Sequence, residues 1–299
     1  MNRREWLSQV ASGWGMLVAS SWPMGWVIGQ EARRKRILFF TRSQGFEHSV
    51  IRRPSPNVLS HAERIVVDLG KKHGFDVVAS KDGRIFIPEE LHKFDAFFFY
   101  TTGDLTREGG DNNPPMPPEG KQALLRAIEQ GKGFIGSHCA SDTFHSPGDR
   151  RRHQSREQQD PYIAMLGGEF ITHGIQQKAT MRVTSPRFPG LKDVQDFQLF
   201  EEWYALKNFA PDLHVILAQD SKGMKGAEYQ RPLFPATWAR RHGQGRVFYT
   251  SMGHREDVWT HPLFQQILLG GIAWALRNVD ADVSPNMDKV TPDAMKLPA

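Results

Sequence analysis

The chain has 299 residues, 39% of them hydrophobic, which is enough for one large core or two modest ones. Nineteen Phe and eight Trp, with a mean hydropathy of −0.50, exclude wholesale disorder. The formal charge of +5 gathers in two short runs, at Arg33, Arg34, Lys35 and Arg36 and at Arg150, Arg151 and Arg152. Neither run has interleaved aromatics, so both read as solvated loop charge and nucleic acid is not an expected partner.

The first 32 residues read as a targeting segment. Asn2, Arg3, Arg4, Glu5, Trp6 and Leu7 are close to a twin-arginine export motif, with Trp where Phe is usual. The apolar stretch from Gly13 to Ile28 is interrupted by Ser20, Ser21 and Pro23. It is short for a spanning helix, which needs about 20 residues, and suits a signal core. The small-residue cleavage box is poor, so removal of the segment or its retention as an anchor stays open. The expectation is export to the periplasm or cell envelope, with membrane contact only through this segment. Export by that route carries folded proteins, often with a bound cofactor or metal.

From residue 33 the pattern alternates. Arg36 to Thr41 is a strand, a helix lies near Pro56 to His73, and Phe75 to Ala79 is the next strand. A short helix starts at Pro88. Asp95 to Thr101 (DAFFFYT) is a continuous apolar run, which fits a strand covered on both faces. The helix from Pro117 to Gln130 has Pro at its start and Gly131 just past its end. Gly133 to Gly136 follows as a strand. This half predicts doubly wound α/β architecture. Residues 146 to 160 read as a long polar loop, and Lys178 to Thr184 and Leu213 to Gln219 as strands. Phe234 to Ala239 and Arg246 to Thr250 form a hairpin, and a helix from Pro262 to Leu276 closes on the sheet. The tail, residues 280 to 299, is expected to be irregular.

In open α/β sheets ligands bind beyond the carboxyl ends of the strands. The residues just after the predicted strands include Arg42, Gly45, Phe46 and His48, then Gly103 and Asp104, then His138 and Cys139, then His254 and Arg255. Loops add His173, Glu202 and Tyr204. Neutral imidazoles with a carboxylate are the ligand set of zinc and similar divalent ions. The same set serves proton transfer on a sugar or keto group without metal. No local HxH or HExxH spacing decides between them.

The segment GKGFIGSHCASDTFH (Gly131 to His145) holds the only cysteine, so an internal disulfide is excluded and the redox compartment is not reported. Its layout is that of a nucleophile elbow. Gly136 and Ala140 bracket His138, not Cys139, so imidazole stands at the apex and Cys139 is read as a buried structural residue.

Several blocks resemble the ThuA-like family, named for a trehalose-utilisation protein. They are GFEH at Gly45 to His48, TTGDL at Thr101 to Leu105, the segment around His138, GGEFITHG at Gly167 to Gly174, EEWY at Glu201 to Tyr204, and PATWARRHGQGRVFYTSMGH at Pro235 to His254. The last block is the most specific, and the likeness spans nearly all of residues 34 to 277. It implies a three-layer, mostly parallel flavodoxin-like sheet similar to class I glutamine amidotransferases, with helices on both faces and an added antiparallel hairpin. In those amidotransferases the apex is cysteine; here it aligns with His138, so glutamine hydrolysis by a thiolate is not implied. One departure is Glu201-Glu202, where the family often has Asp-Glu.

The resulting expectation is an exported protein acting on a carbohydrate, of trehalose or 3-keto-glycoside type. His138, Glu202, His254 and His48 are the expected catalytic residues, and Gly45, Phe46, Gly103, Asp104, His173, Tyr204 and Arg255 are expected to bind substrate. If a divalent metal such as zinc is present, His138, His173 and His254 are its expected ligands. A non-catalytic sugar-binding module and an amidotransferase-like thiol hydrolase are the alternatives. The oligomeric state, including a homo-oligomer, stays open.

Overall fold

A computed structural model describes residues 33–298, so the expected targeting segment lies outside the described residues. In β1 (Lys35–Phe40) the run Ile37, Leu38, Phe39, Phe40 is wholly buried, without alternation. That is the signature of a strand with both faces covered. The chain then alternates through α1 (His61–His73), β2 (Phe75–Ser80), α2 (Pro88–Leu91), β3 (Ala96–Phe99), α3 (Gly120–Glu129) and β4 (Gly133–Ser137). Helix α1 opens with a capping box, Ser60 with Glu63, and stops at Gly74 in the left-handed conformation.

The second half contributes α4 (Pro161–Leu166), β5 (Glu169–His173), β6 (Gln177–Val183), β7 (Phe197–Glu201), β8 (Tyr204–Lys207) and β9 (His214–Asp220). It ends with β10 (Phe234–His242), β11 (Gly245–Thr250), α5 (Glu256–Thr260), α6 (Pro262–Ala275) and α7 (Met287–Val290). The main sheet has nine strands in the order β2-β1-β3-β4-β11-β10-β9-β6-β7, and β5 and β8 form a separate antiparallel pair. Strands β2, β1, β3, β4 and β11 are parallel. The fold is α/β of the flavodoxin-like kind, extended on one side by antiparallel strands.

That extension matters for the site. The pairs β11–β10, β10–β9, β9–β6 and β6–β7 are all antiparallel. Four reversals return β7 to the direction of β11. The ends of β1, β3, β4, β11 and β7 therefore all face the same edge of the sheet.

The tail differs from the expectation of irregular chain. It carries α7, and Asn286 binds both backbone groups of Val215 through its side-chain amide. Thr291 and Ala294 are buried. Asn286 thus caps β9, which gives the segment a packed seat. Among the described residues no helix is long and apolar enough to cross a membrane.

Candidate functional site

The elbow forms at the end of β4. His138 has φ of +45°, in the left-handed region that non-glycine residues rarely enter. A Cβ on Gly136 would lie 3.1 Å from the Ala140 Cβ, 3.1 Å from Tyr249 and 3.3 Å from Leu166. The two bracketing small residues therefore pack directly beneath the turn. His138 stands at its apex, held by hydrogen bonds from Ser141 Oγ and Tyr249 Oη to its carbonyl. Cys139 faces inward, fully buried, and burial followed by the nearby Asp142 charge pushes its thiol pKa well up. A neutral, inaccessible thiol is a poor nucleophile.

Around the apex three further strand ends converge. His138 Nε2 lies 3.4 Å from Glu202 Oε2 and 3.3 Å from His254 Nδ1. His254 Nδ1 lies 3.1 Å from the same Glu202 oxygen. The His48 ring packs edge-on against both His138 and His254, with centroids 5.1 and 5.2 Å away. One ligand atom from each of His48, His138, Glu202 and His254 fits within a mutual 4.8 Å. His173 takes the other carboxylate oxygen, with Nδ1 3.3 Å from Glu202 Oε1. It therefore stands beside the donor cluster, where the sequence reading had made it a ligand.

Ring orientation is set by fixed acceptors. His138 Nδ1 is 2.9 Å from the Ser251 carbonyl, which only accepts, so this nitrogen carries the hydrogen. In the neutral ring the lone pair on Nε2 then points at Glu202 and His254. His48 is pushed well below the ordinary histidine range by burial and then by the neighbouring imidazoles, so it is neutral near pH 7. Burial opposes ionisation of Glu202, but hydrogen bonds and charge from His138 and His254 hold its pKa far below normal. His254 is pulled down by burial and lifted more strongly by Glu202, ending above its usual value.

Tyr204 is buried and lies against His138 with ring centroids 4.0 Å apart, so it backs the imidazole. Phe46 is different: 67% exposed, with its ring edge-on to His48 at 5.0 Å. It places an exposed apolar ring beside the cluster. Gly45 and Gly103 join two loops, with Gly45 N donating to Thr102 O and Gly103 N to Asp142 O. Asp104 caps its own turn at Thr106 and pairs with Arg107. Arg255 is engaged by Asp257, Gln176 and the face of Phe200. These last two side chains therefore already have partners within the fold. Trp203, Trp238 and Trp259 are fully buried core residues.

Glu201 is the residue the sequence reading missed. Its fully buried carboxylate accepts from the backbone of Gly253 at 2.9 Å, His254 at 3.0 Å and Glu202 at 2.8 Å. It ties the end of β7 to the loop after β11, placing Glu202 and His254 together. An acidic pair at a strand end was the available signal. Tyr100 Oη and Trp259 Nε1 fix the same loop by donating to the Gly253 carbonyl.

No curated protein matches the chain. Among solved structures, a ThuA-like protein from Bacteroides uniformis superposes with a TM-score of 0.59 at 18% identity, covering 82% of this chain and 92% of that one. A ThuA-like protein from Parabacteroides merdae gives 0.57 at 15% identity, covering 89% and 97%. These likenesses establish the shared fold. The family model for ThuA, described as trehalose utilisation, matches residues 36–275, and the chain belongs to that family.

Proposed function

We propose that this is an exported ThuA-family protein that acts on a carbohydrate of trehalose or 3-keto-glycoside type at the His/Glu pocket. The observation that carries the reading is the convergence of His48, His138, His254 and Glu202 at the strand-end edge, in a chain of a trehalose-utilisation family. The pocket offers a neutral imidazole at His48 and a carboxylate-paired imidazole at His254, an arrangement suited to moving protons at a hydroxyl or a keto-activated carbon. Phe46 supplies an exposed aromatic face of the kind that packs against a sugar ring. Export is supported by Arg3, Arg4 and the apolar stretch that follows.

Incubating the purified protein with trehalose and 3-keto-trehalose, followed by NMR, tests the reading. Consumption of either sugar, lost on replacing His138, is the expected result. Sugar binding without turnover, unchanged by that replacement, would establish the binding-module alternative.

A further inference from the structure

The three donor atoms around the elbow form a nearly equilateral triangle, with edges of 3.3 Å (His138 Nε2 to His254 Nδ1), 3.4 Å (His138 Nε2 to Glu202 Oε2) and 3.1 Å (His254 Nδ1 to Glu202 Oε2). A tetrahedral zinc centre with ligands at about 2.0–2.1 Å has ligand–ligand edges of about 3.3–3.4 Å. The triangle therefore has the dimensions of one face of such a centre before any ion is placed in it.

The chemistry of the donors agrees. Ser251 fixes a hydrogen on His138 Nδ1, so Nε2 is the nitrogen turned toward a carboxylate oxygen and a second imidazole nitrogen. A divalent cation among these three atoms would take over the role of the contacts by which the two imidazoles hold the Glu202 carboxylate. The hydrogen bond from a histidine's remote nitrogen to a backbone carbonyl is also the usual outer support of a metal-bound imidazole. His173 Nδ1 faces two acceptors, the Gly174 carbonyl at 3.1 Å and Glu202 Oε1 at 3.3 Å, so it donates and orients the carboxylate. A further observation is independent of the triangle. His48 is 97% buried, its Nδ1 has no hydrogen-bond partner, and one of its ring nitrogens lies within 4.8 Å of a ligand atom from each of His138, Glu202 and His254.

We infer that His138 Nε2, His254 Nδ1 and Glu202 Oε2 bind a zinc-like divalent cation, with His48 facing its remaining coordination position. Two histidines and a glutamate leaving one position open is the composition of a catalytic rather than a structural zinc site. Such an ion would polarise a carbonyl or hydroxyl oxygen of the ligand. The inference deepens the carbohydrate reading of the same pocket, and its test uses no sugar.

The test is calorimetric titration of chelator-treated full-length protein with Zn²⁺, and with Co²⁺ while recording its visible absorption. One ion per chain is expected, with the intense absorption of four- or five-coordinate cobalt. His138→Asn, His254→Ala and Glu202→Gln should each weaken zinc binding by at least about 100-fold, and His173→Ala by about tenfold. Asparagine tolerates the left-handed backbone at position 138, and circular dichroism of each variant identifies any that fails to fold. Absence of zinc and cobalt binding by the wild type, or binding unchanged in the folded triangle variants, overturns the inference. Metal binding without turnover of either sugar leaves this site standing and removes the carbohydrate reading; turnover of either sugar by a wild-type protein that binds neither zinc nor cobalt does the reverse.

Discussion

Glu201 Oε2 accepts hydrogen bonds from the backbone amides of Gly253 and His254, at 2.9 and 3.0 Å, across a sequence gap of more than fifty residues. This buried carboxylate decides where His254 stands relative to Glu202. Replacing it by glutamine leaves one oxygen to serve three amides. Glu201→Gln should cost about 2–3 kcal/mol of stability, as expected for amides left without partners in the interior, measured by urea unfolding. Site function should fall with it, because His254 loses its anchor. An unfolding midpoint equal to wild type would show that the contacts do not hold the loop.

Gly136 is the other fixed point of the site. A methyl group there meets Ala140, Tyr249 and Leu166 at 3.1–3.3 Å, and the strand has little room to move between β3 and β11. Gly136→Ala should destabilise the fold by about 1–3 kcal/mol, the usual range for overpacking. Thermal unfolding reads this directly, and an unchanged melting temperature would mean that the elbow is looser than its contacts indicate.

Cys139 should be silent toward reagents in the folded state. It is fully buried and its thiol is pushed well above the ordinary range by burial and Asp142. A maleimide should label the protein in denaturant and not under native conditions. Rapid native labelling would return the thiol to the list of chemical groups.

Glu63 carries a pH signature away from the site. Burial alone would raise its pKa, but Arg53, the Ser60 amide and the Thr41 hydroxyl hold it below the normal value of 4.5. A group depressed on folding contributes stability above its unfolded pKa and loses it as pH falls through the folded one. Glu63→Gln should therefore cost about 2–3 kcal/mol at pH 7, consistent with breaking a largely buried pair. The difference from wild type should shrink as pH drops below about 4.5. A difference independent of pH would assign the loss to packing.

Much of the framework is legible in the sequence because the parallel strands are buried on both faces. Runs such as Ala96–Phe99 contain no polar residue to obscure them. The elbow is legible for a local reason, the small residues at positions 136 and 140. Strands β5, β7 and β8 are not read because they are short and carry mixed signals. Phe200 is 42% exposed on edge strand β7, whereas Lys207 at the end of β8 is buried and bonded to loop oxygens from residues 149 to 154. Placing Glu202 beside His138 needs the direction of β7, which follows from a strand order that is not sequential. Asp104 and Arg255 sit on loops of the expected edge, yet Asp104 is engaged by Thr106 and Arg107, and Arg255 by Asp257, Gln176 and Phe200. Side-chain partners of that kind are invisible to a reading of strand ends.

The group proposed to react or ligate at the elbow is imidazole, not thiol. The most direct measurement is the rate of 3-keto-trehalose consumption by wild type, Cys139→Ser and His138→Asn. Wild type and Cys139→Ser should agree within about threefold, whereas His138→Asn should fall at least about 100-fold, the low end for loss of an acid–base group. A His138→Asn protein as active as wild type, or loss of activity confined to a folded Cys139→Ser, would contradict it.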